Sequence, residues 1–166
     1  MKAYMTNGTY DFLKKLESKH PQITFHFMRD INTLAYYEGT GKSIFTAGRT
    51  YDILFSKGTL QEKGFVVMNH IPVTVEGQPV FEDRFAKRQG NVETMPGFQA
   101  FRLLKPEKGH TYIVFTQWDT KVHYENWKTS KSFQKAHQQK TVKQPAYFAD
   151  RPFLHTYHLI TEEEQD

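Results

Sequence analysis

The second half of the chain sets the tightest limit on the fold. From Gly64 onward it reads as strand, helix, strand, strand, helix, strand. Phe65 to Thr74 is a long apolar run, closed by the turn residues Glu76-Gly77-Gln78-Pro79. Pro79 or Val80 opens a helix to about Gln89, with Phe81 and Phe85 near one face. Met95-Pro96-Gly97 turns the chain into a strand from Phe98 to Leu104. A second turn at residues 106–110 leads into the strand Thr111 to Trp118. A helix is expected from about Lys121 to Gln139, then a looser stretch to Pro152 and a last strand from Phe153 to Ile160. β-α-β-β-α-β is the ferredoxin-like order. The expected class is therefore α+β, with a ferredoxin-like domain over residues 63–166 and a smaller α+β unit over residues 1–62.

In that first unit, residues 2–6 read as a strand. Thr9 caps a helix that buries Phe12, Leu13 and Leu16 and ends near Lys19-His20-Pro21. Strands are expected over residues 23–28, 33–38 and 43–47, with a turn at Gly39-Thr40-Gly41-Lys42. Thr50 to Phe55 is read as a short helix closed by Lys57-Gly58. Both units begin β-α-β-β, so they are candidate structural duplicates, although no close sequence repeat links them.

Composition removes whole classes of chemistry. The 166 residues include no cysteine, which excludes disulfides, thiolate metal sites and cysteine nucleophiles. No apolar run approaches the ~18 residues of a membrane span, and residues 1–8 lack a signal-peptide core, so the chain fits the cytoplasm. The net charge of +4 is spread along the chain and reads as solvated surface. Gly39-Thr40-Gly41-Lys42-Ser43 mimics the end of a phosphate loop, but Tyr36 stands where that loop needs its first glycine. Residues 111–118 lack the RNA-recognition signature, so nucleic acid is not expected as a partner. The eight histidines show no metal-ligand spacing; His70 falls on the strand face opposite Asn69, and His155 and His158 point to opposite faces.

Two features carry chemistry. Period-two alternation places Asn69 on the same strand face as Phe65, Val67, Ile71 and Val73. A carboxamide on such a face needs a partner, which backbone, water or a ligand can supply. The second feature is the stretch Tyr124 to His137, in which Phe133 and His137 share a helix face. A metal-competent imidazole beside an apolar ring suits a haem pocket. On an unbroken helix Trp127 and His137 stand about 80° apart. A break within Thr129-Ser130-Lys131-Ser132 changes that angle.

The pattern aromatic-x-x-Trp-x-x-Ser-x-x-Phe-x-x-x-His over residues 124–137 resembles the last helix of the IsdG-like haem-degrading monooxygenases, within the antibiotic-biosynthesis-monooxygenase superfamily. Asn69, Trp127 and His137 match that family's catalytic set. Arg84-Phe85, Gly97-Phe98 and Thr116-Gln117-Trp118 fall in the family's order. The opening Lys2-x-Tyr4-x-Thr6-x-Gly8-Thr9-x-Asp11-Phe12-Leu13 resembles the extension of the Bacillus-type two-domain members, of the HmoB kind, and of the related TRAP proteins. The resemblance implies haem as both substrate and cofactor, dioxygen, and an external reductant or electron donor. It implies that His137 is the axial ligand of the haem iron, that Asn69 and Trp127 direct the oxygenation, and that Phe85 packs on the haem. Ring opening would release iron. The family domain forms a homodimeric barrel, unless the first unit covers the sheet and leaves a monomer. Two other readings stay open: a TRAP-like regulatory protein, and a cofactor-free oxygenase of small aromatics.

Overall fold

Strand pairing wraps the chain into one closed barrel, in the order β1-β3-β2-β8-β5-β7-β6-β4. The computed structural model describes residues 1–87, 92–130 and 145–161. The strands are β1 (Lys2–Gly8), β2 (His26–Arg29), β3 (Thr33–Gly39), β4 (Arg49–Gly58), β5 (Phe65–Pro72), β6 (Phe98–Pro106), β7 (Thr111–Trp118) and β8 (Phe153–Leu159). Helix α1 (Tyr10–Ser18) follows β1, α2 (Gln78–Ala86) follows β5, and α3 (Lys121–Lys128) follows β7.

The barrel divides into β4-β1-β3-β2 and β8-β5-β7-β6, each the ferredoxin-like arrangement of one half of the chain. Each half lends its last strand to the other: β4 pairs with β6 and β8 with β2, all antiparallel. The registers repeat as well. Met5 lies between Tyr36 and Arg49, and Met68 lies between Phe115 and His155. The halves are thus related by a pseudo-twofold along the barrel, which answers to the shared β-α-β-β opening. The barrel closes within a single chain, so the homodimeric form is not what closes this one.

Two elements depart from expectation. Residues 50–55 form part of β4, not a helix. The β-branched and aromatic residues Thr50, Tyr51, Ile53 and Phe55 suit a pleated surface, and the segment finds ladder partners on both sides, in β1 and β6. A register shift between Ile53 and Phe55 turns Leu54 away from the interior, which blurs the alternation in the sequence. Residues 43–47 form no strand. They belong to a loop tied down by side chains: Thr6 Oγ1 donates to the Ala47 carbonyl (2.5 Å), and the Ile44 N–H donates to the Tyr37 hydroxyl (2.9 Å). The other elements lie within a few residues of their expected bounds, save α3, which ends at Lys128 where the expected helix ran to about Gln139, residues 131–139 lying outside the described residues. In α1, Leu13 is buried as expected, but Phe12 faces solvent. Thr9 caps α1 as read, its hydroxyl accepting from the Phe12 N–H.

Alternation divides β5 between two environments. Val66 and Met68 point into the barrel, where they meet Ala3, Met5, Leu34, Tyr36, Leu104, Ile113 and Phe115 in one core fed by both halves. At one mouth, Arg102 donates through Nε to Glu38 (2.9 Å) and through Nη1 to the carbonyls of Lys57 and Phe101, while the Tyr36 hydroxyl donates to the same carboxylate (2.6 Å). Burial and the Glu38 charge push the Tyr36 phenol well above its ordinary value. At the other mouth, His70 stacks on Phe153 with ring centroids 4.6 Å apart and meets the edge of His155 at 4.9 Å. Burial, then the nearby His155 and Arg49, lower its imidazole from 6.5 to about 4.

Two stability measurements follow. Arg102→Met should cost about 3 kcal/mol in urea unfolding, because it strands a largely buried carboxylate. Adding Glu38→Gln should restore part of that. His70 is neutral in the folded chain and titrates near 6.5 unfolded, so its contribution is complete above pH 6.5 and is lost as pH falls toward 4. With solvent screening at the mouth, the loss should be on the order of 2 kcal/mol, and a His70→Gln chain should show a flatter stability profile over that range.

Candidate functional site

The other face of β5 points outward, under α2 and α3. Cross-strand partners share a face, so the surface is built in rows. Phe65 pairs with Trp118 and His158, Val67 with Thr116 and Thr156, and Asn69 with Val114 and Leu154. The rows around Phe65 and Val67 pack with Trp118, Tyr124 and Trp127 in one aromatic cluster. Ile71 and Val73 pack with Phe81, Phe101, Leu103 and Tyr112 in another, to which Phe85 and Val114 contribute. Asn69 lies in the row between them.

Each helix is seated by identifiable contacts. Phe81 of α2 meets Tyr112 at 4.7 Å and Phe85 at 5.0 Å, and Phe85 lies over Phe101 at 6.4 Å. Arg84, on another face of α2, donates to the Tyr147 hydroxyl (3.0 Å). Thr120 caps α3, accepting from the His123 N–H (3.3 Å). Gly97 adopts φ 82°, and its carbonyl accepts from the Asp119 N–H (2.8 Å). A side chain at Gly97 would meet His123 Cγ at 2.4 Å, so a glycine lets the start of β6 lie against the start of α3. Trp127 then rests on Trp118, with centroids 5.5 Å apart, and on Tyr124 at 6.2 Å. Trp118 is itself fully buried, its indole N–H donating to Thr116 Oγ1 (3.1 Å).

Helix α3 stops at Lys128. The Thr129 hydroxyl donates back to the Asn126 carbonyl (3.1 Å) and the Ser130 hydroxyl to the Trp127 carbonyl (2.6 Å), which satisfies the last turn without a further helical residue. The break foreseen at Thr129 to Ser132 thus begins at its first residue. His137 and Phe133 lie outside the described residues, as do Arg88 and Gln89 at the expected end of α2. Of the predicted site residues, the structure therefore brings Asn69, Phe85 and Trp127 to one outward face.

Asn69 is half-buried, and its carboxamide makes no hydrogen bond among the described residues. The reading in which neighbouring backbone satisfies it is not what the structure shows. Its pseudo-twofold counterpart is Thr6, which occupies the same place on β1. Thr6 is 8% exposed and bound to Ala47, under a face filled by stacked Tyr4 and Tyr37, Phe25 and Phe45. One outward face of the barrel is closed by its own loop, whereas the other keeps an unpartnered amide between two aromatic clusters. Sequence reasoning passed over Leu154, which lies beside Asn69 and is 49% exposed. The alternation Leu154, Thr156, His158 carried that signal.

Residues 64–139 match the family model described as antibiotic biosynthesis monooxygenase. The chain is 27% identical over 130 residues to a heme-degrading monooxygenase of Listeria monocytogenes, covering 78% of each protein. It is 28% identical over 134 residues to the signal transduction protein TRAP of Staphylococcus epidermidis, covering 80% of each. A solved structure of a major regulator of staphylococcal pathogenesis shares the fold, with TM-score 0.86 and 23% identity over 97% of this chain and 100% of that one. Among the described residues, no helix is long and apolar enough to cross a membrane, and no three histidine, aspartate or glutamate side chains gather as a metal site.

An amide that holds nothing in the fold is dispensable to it. Asn69→Ala should change unfolding free energy by no more than about 0.5 kcal/mol, read from denaturant midpoints. Gly97→Ala should destabilise by more than about 1 kcal/mol, since it combines backbone strain with a clash at α3.

Proposed function

We propose that this protein is a haem-degrading monooxygenase of the two-domain HmoB kind, with residues 1–62 as an extension and residues 63–166 as the haem-binding domain. One observation carries the reading: the Asn69 carboxamide, without a hydrogen-bond partner among the described residues, lies on an apolar outward face in the row between the clusters that hold Trp127 and Phe85. A flat, largely apolar ring with a polar centre fits such a surface. Aromatic walls remove its faces from water, and the amide supplies a donor and an acceptor where the fold has left them unused. Bound haem would supply redox-active iron and the ring that is oxidised, with dioxygen and an external electron donor as co-reactants. His137, nine residues beyond the end of α3, is assigned as the axial ligand on the resemblance of residues 124–137. Phe85 and Trp127 exclude water and fix the ring's orientation, and Asn69 holds a hydrogen bond at the reacting edge. The barrel closed in one chain supports action as a monomer, and a tight dimer in sedimentation overturns that part of the reading.

The similarity to TRAP favours a second reading, a regulatory protein without catalysis. A signalling module has no need of Asn69, Trp127 and His137 together.

Haemin titration separates the two. Saturable binding with a shifted Soret band, lost with released iron on adding ascorbate under air, is expected of the enzyme. His137→Ala should abolish the shifted band. Asn69→Ala should keep binding but slow turnover at least about tenfold, the scale of one lost oriented donor. A chain that gives no saturable Soret shift overturns the haem reading.

A further inference from the structure

Inside the barrel, at the mouth opposite the Arg102–Glu38 pair, lies a cavity of about 320 Å³ lined by Asn7, Asp30, Arg49, His70, His155 and Tyr157 above a floor of Met5 and Met68. It is separate from the outward face discussed above: β5 runs between them, with Asn69 on one side and His70 on the other.

Three features make it a built site. The Nε2 of His70 is shielded from solvent and has no hydrogen-bond partner, although its ring is fixed by Phe153 and His155. Buried polar atoms are ordinarily satisfied, so an orphan nitrogen beside a roomy polar cavity marks a ring that a small rotation would turn toward a group entering it. The Arg49 guanidinium is steered by Asn7, accepting its Nη2 hydrogen at 3.0 Å, and lies close enough to the cavity to disfavour a charge on His70. Finally, the pseudo-twofold puts Asn7 opposite His70 and Arg49 opposite His155, so both halves contribute corresponding positions to one ring of polar side chains.

The chemistry of the ring favours an oxyanion. Arg49 offers a planar set of N–H donors, and imidazoles add donors that become cationic when an anion is near. No three-ligand metal cluster forms among the described residues. The one acid at the rim, Asp30, has an oxygen already committed to the Asn32 N–H (2.8 Å). We propose that this barrel mouth binds a small carboxylate- or phosphate-bearing molecule through Arg49, His70 and His155.

Binding is coupled to protons. The titratable and charged groups facing His70 are Arg49 from β4, Asp30 beyond β2, and His155 and Tyr157 from β8; β1, β3 and β7 present Asn7, Leu34 and Ile113. An anion opposes the desolvation and like-charge effects that keep His70 neutral, so it raises that imidazole's titration midpoint, and affinity grows as pH falls below the bound-state midpoint.

Histidine C–H resonances of the full chain report on this directly. Inorganic phosphate and acetate, titrated separately at millimolar concentrations, should move the His70 and His155 signals saturably with at least one of the two anions. The preferred anion identifies the headgroup, and it should raise the His70 midpoint from about 4 by more than one pH unit. Arg49→Gln, checked for an unchanged unfolding midpoint, should weaken that binding by roughly tenfold or more, the worth of one charged hydrogen bond. Absence of saturable shifts with either anion, or equal affinity in folded Arg49→Gln, overturns the proposal. Haemin binding followed in parallel should be unaffected by either anion, so the outcome stands apart from the haem reading.

Discussion

Everything in this molecule hangs on the two seams where one half of the chain completes the other. An open ferredoxin-like sheet has two edge strands with unpaired backbone groups, which invite pairing with another chain. Here β4 runs along β6, and β8 along β2, and the exchange leaves no edge. The seam β4–β6 is the longer, and its Ile53/Phe55 bulge lets a single strand feed the inner core through Ile53 and the outer cluster through Leu54. Closure also makes an interior, and a barrel of this size fills it with side chains. Apolar layers occupy the middle. The polar residues that remain are pushed to the mouths, where Arg102, Glu38 and Tyr36 satisfy one another at one end and the Arg49–His70–His155 ring lies at the other.

Near-symmetry makes the differences between the halves informative. Tyr4, Thr6 and Tyr37 on one outward face correspond to Val67, Asn69 and Thr116 on the other. The first set is sealed by residues 40–48, with Thr6 bonded to Ala47 and the Tyr4 hydroxyl to the Gly41 carbonyl. In the second half the corresponding connection carries α3, and among the described residues nothing bonds the Asn69 carboxamide below it. The same position of one scaffold is thus tied down in the first half and holds a carboxamide without a described partner in the second.

Much of this was legible in the sequence because the second half is plainly punctuated. Phe65 to Pro72 and Thr111 to Trp118 are mostly apolar and aromatic runs bounded by turn residues, so both strands could be read directly, and the strand period put Asn69 on the face of Phe65, Val67 and Ile71. The break after α3 was announced by Thr129 and Ser130, whose hydroxyls compete for helix carbonyls. The first half was harder. Tyr51, Ile53 and Leu54 look helical in a six-residue window because the bulge disturbs their alternation, and residues 43–47 look like a strand although side chains of β1 and β3, distant in sequence, hold them as a loop. Closure of the barrel was out of reach for a different reason: pairing of β2 with β8 joins residues about 130 positions apart, and local pattern carries no record of such contacts. The cavity at the mouth was hidden for the same reason, since Asn7, Arg49, His70 and His155 come from four strands and show no spacing in the sequence.

Neighbouring residues of β5 therefore face two different environments. Asn69 looks out, from the row between the Trp127 and Phe85 clusters; His70 looks in, beside His155 and on the cavity that Arg49 also lines. The pleat that separates them also isolates their chemistry, because the layer between is strand backbone whose hydrogen bonds are taken up by β7 and β8. Such a layer conducts little electrostatic influence by side-chain contact, yet it is rigid, being paired on both sides. A shift of β5 large enough to reposition Asn69 must carry His70 with it. Any coupling between the outward face and the barrel mouth runs through the placement of this strand.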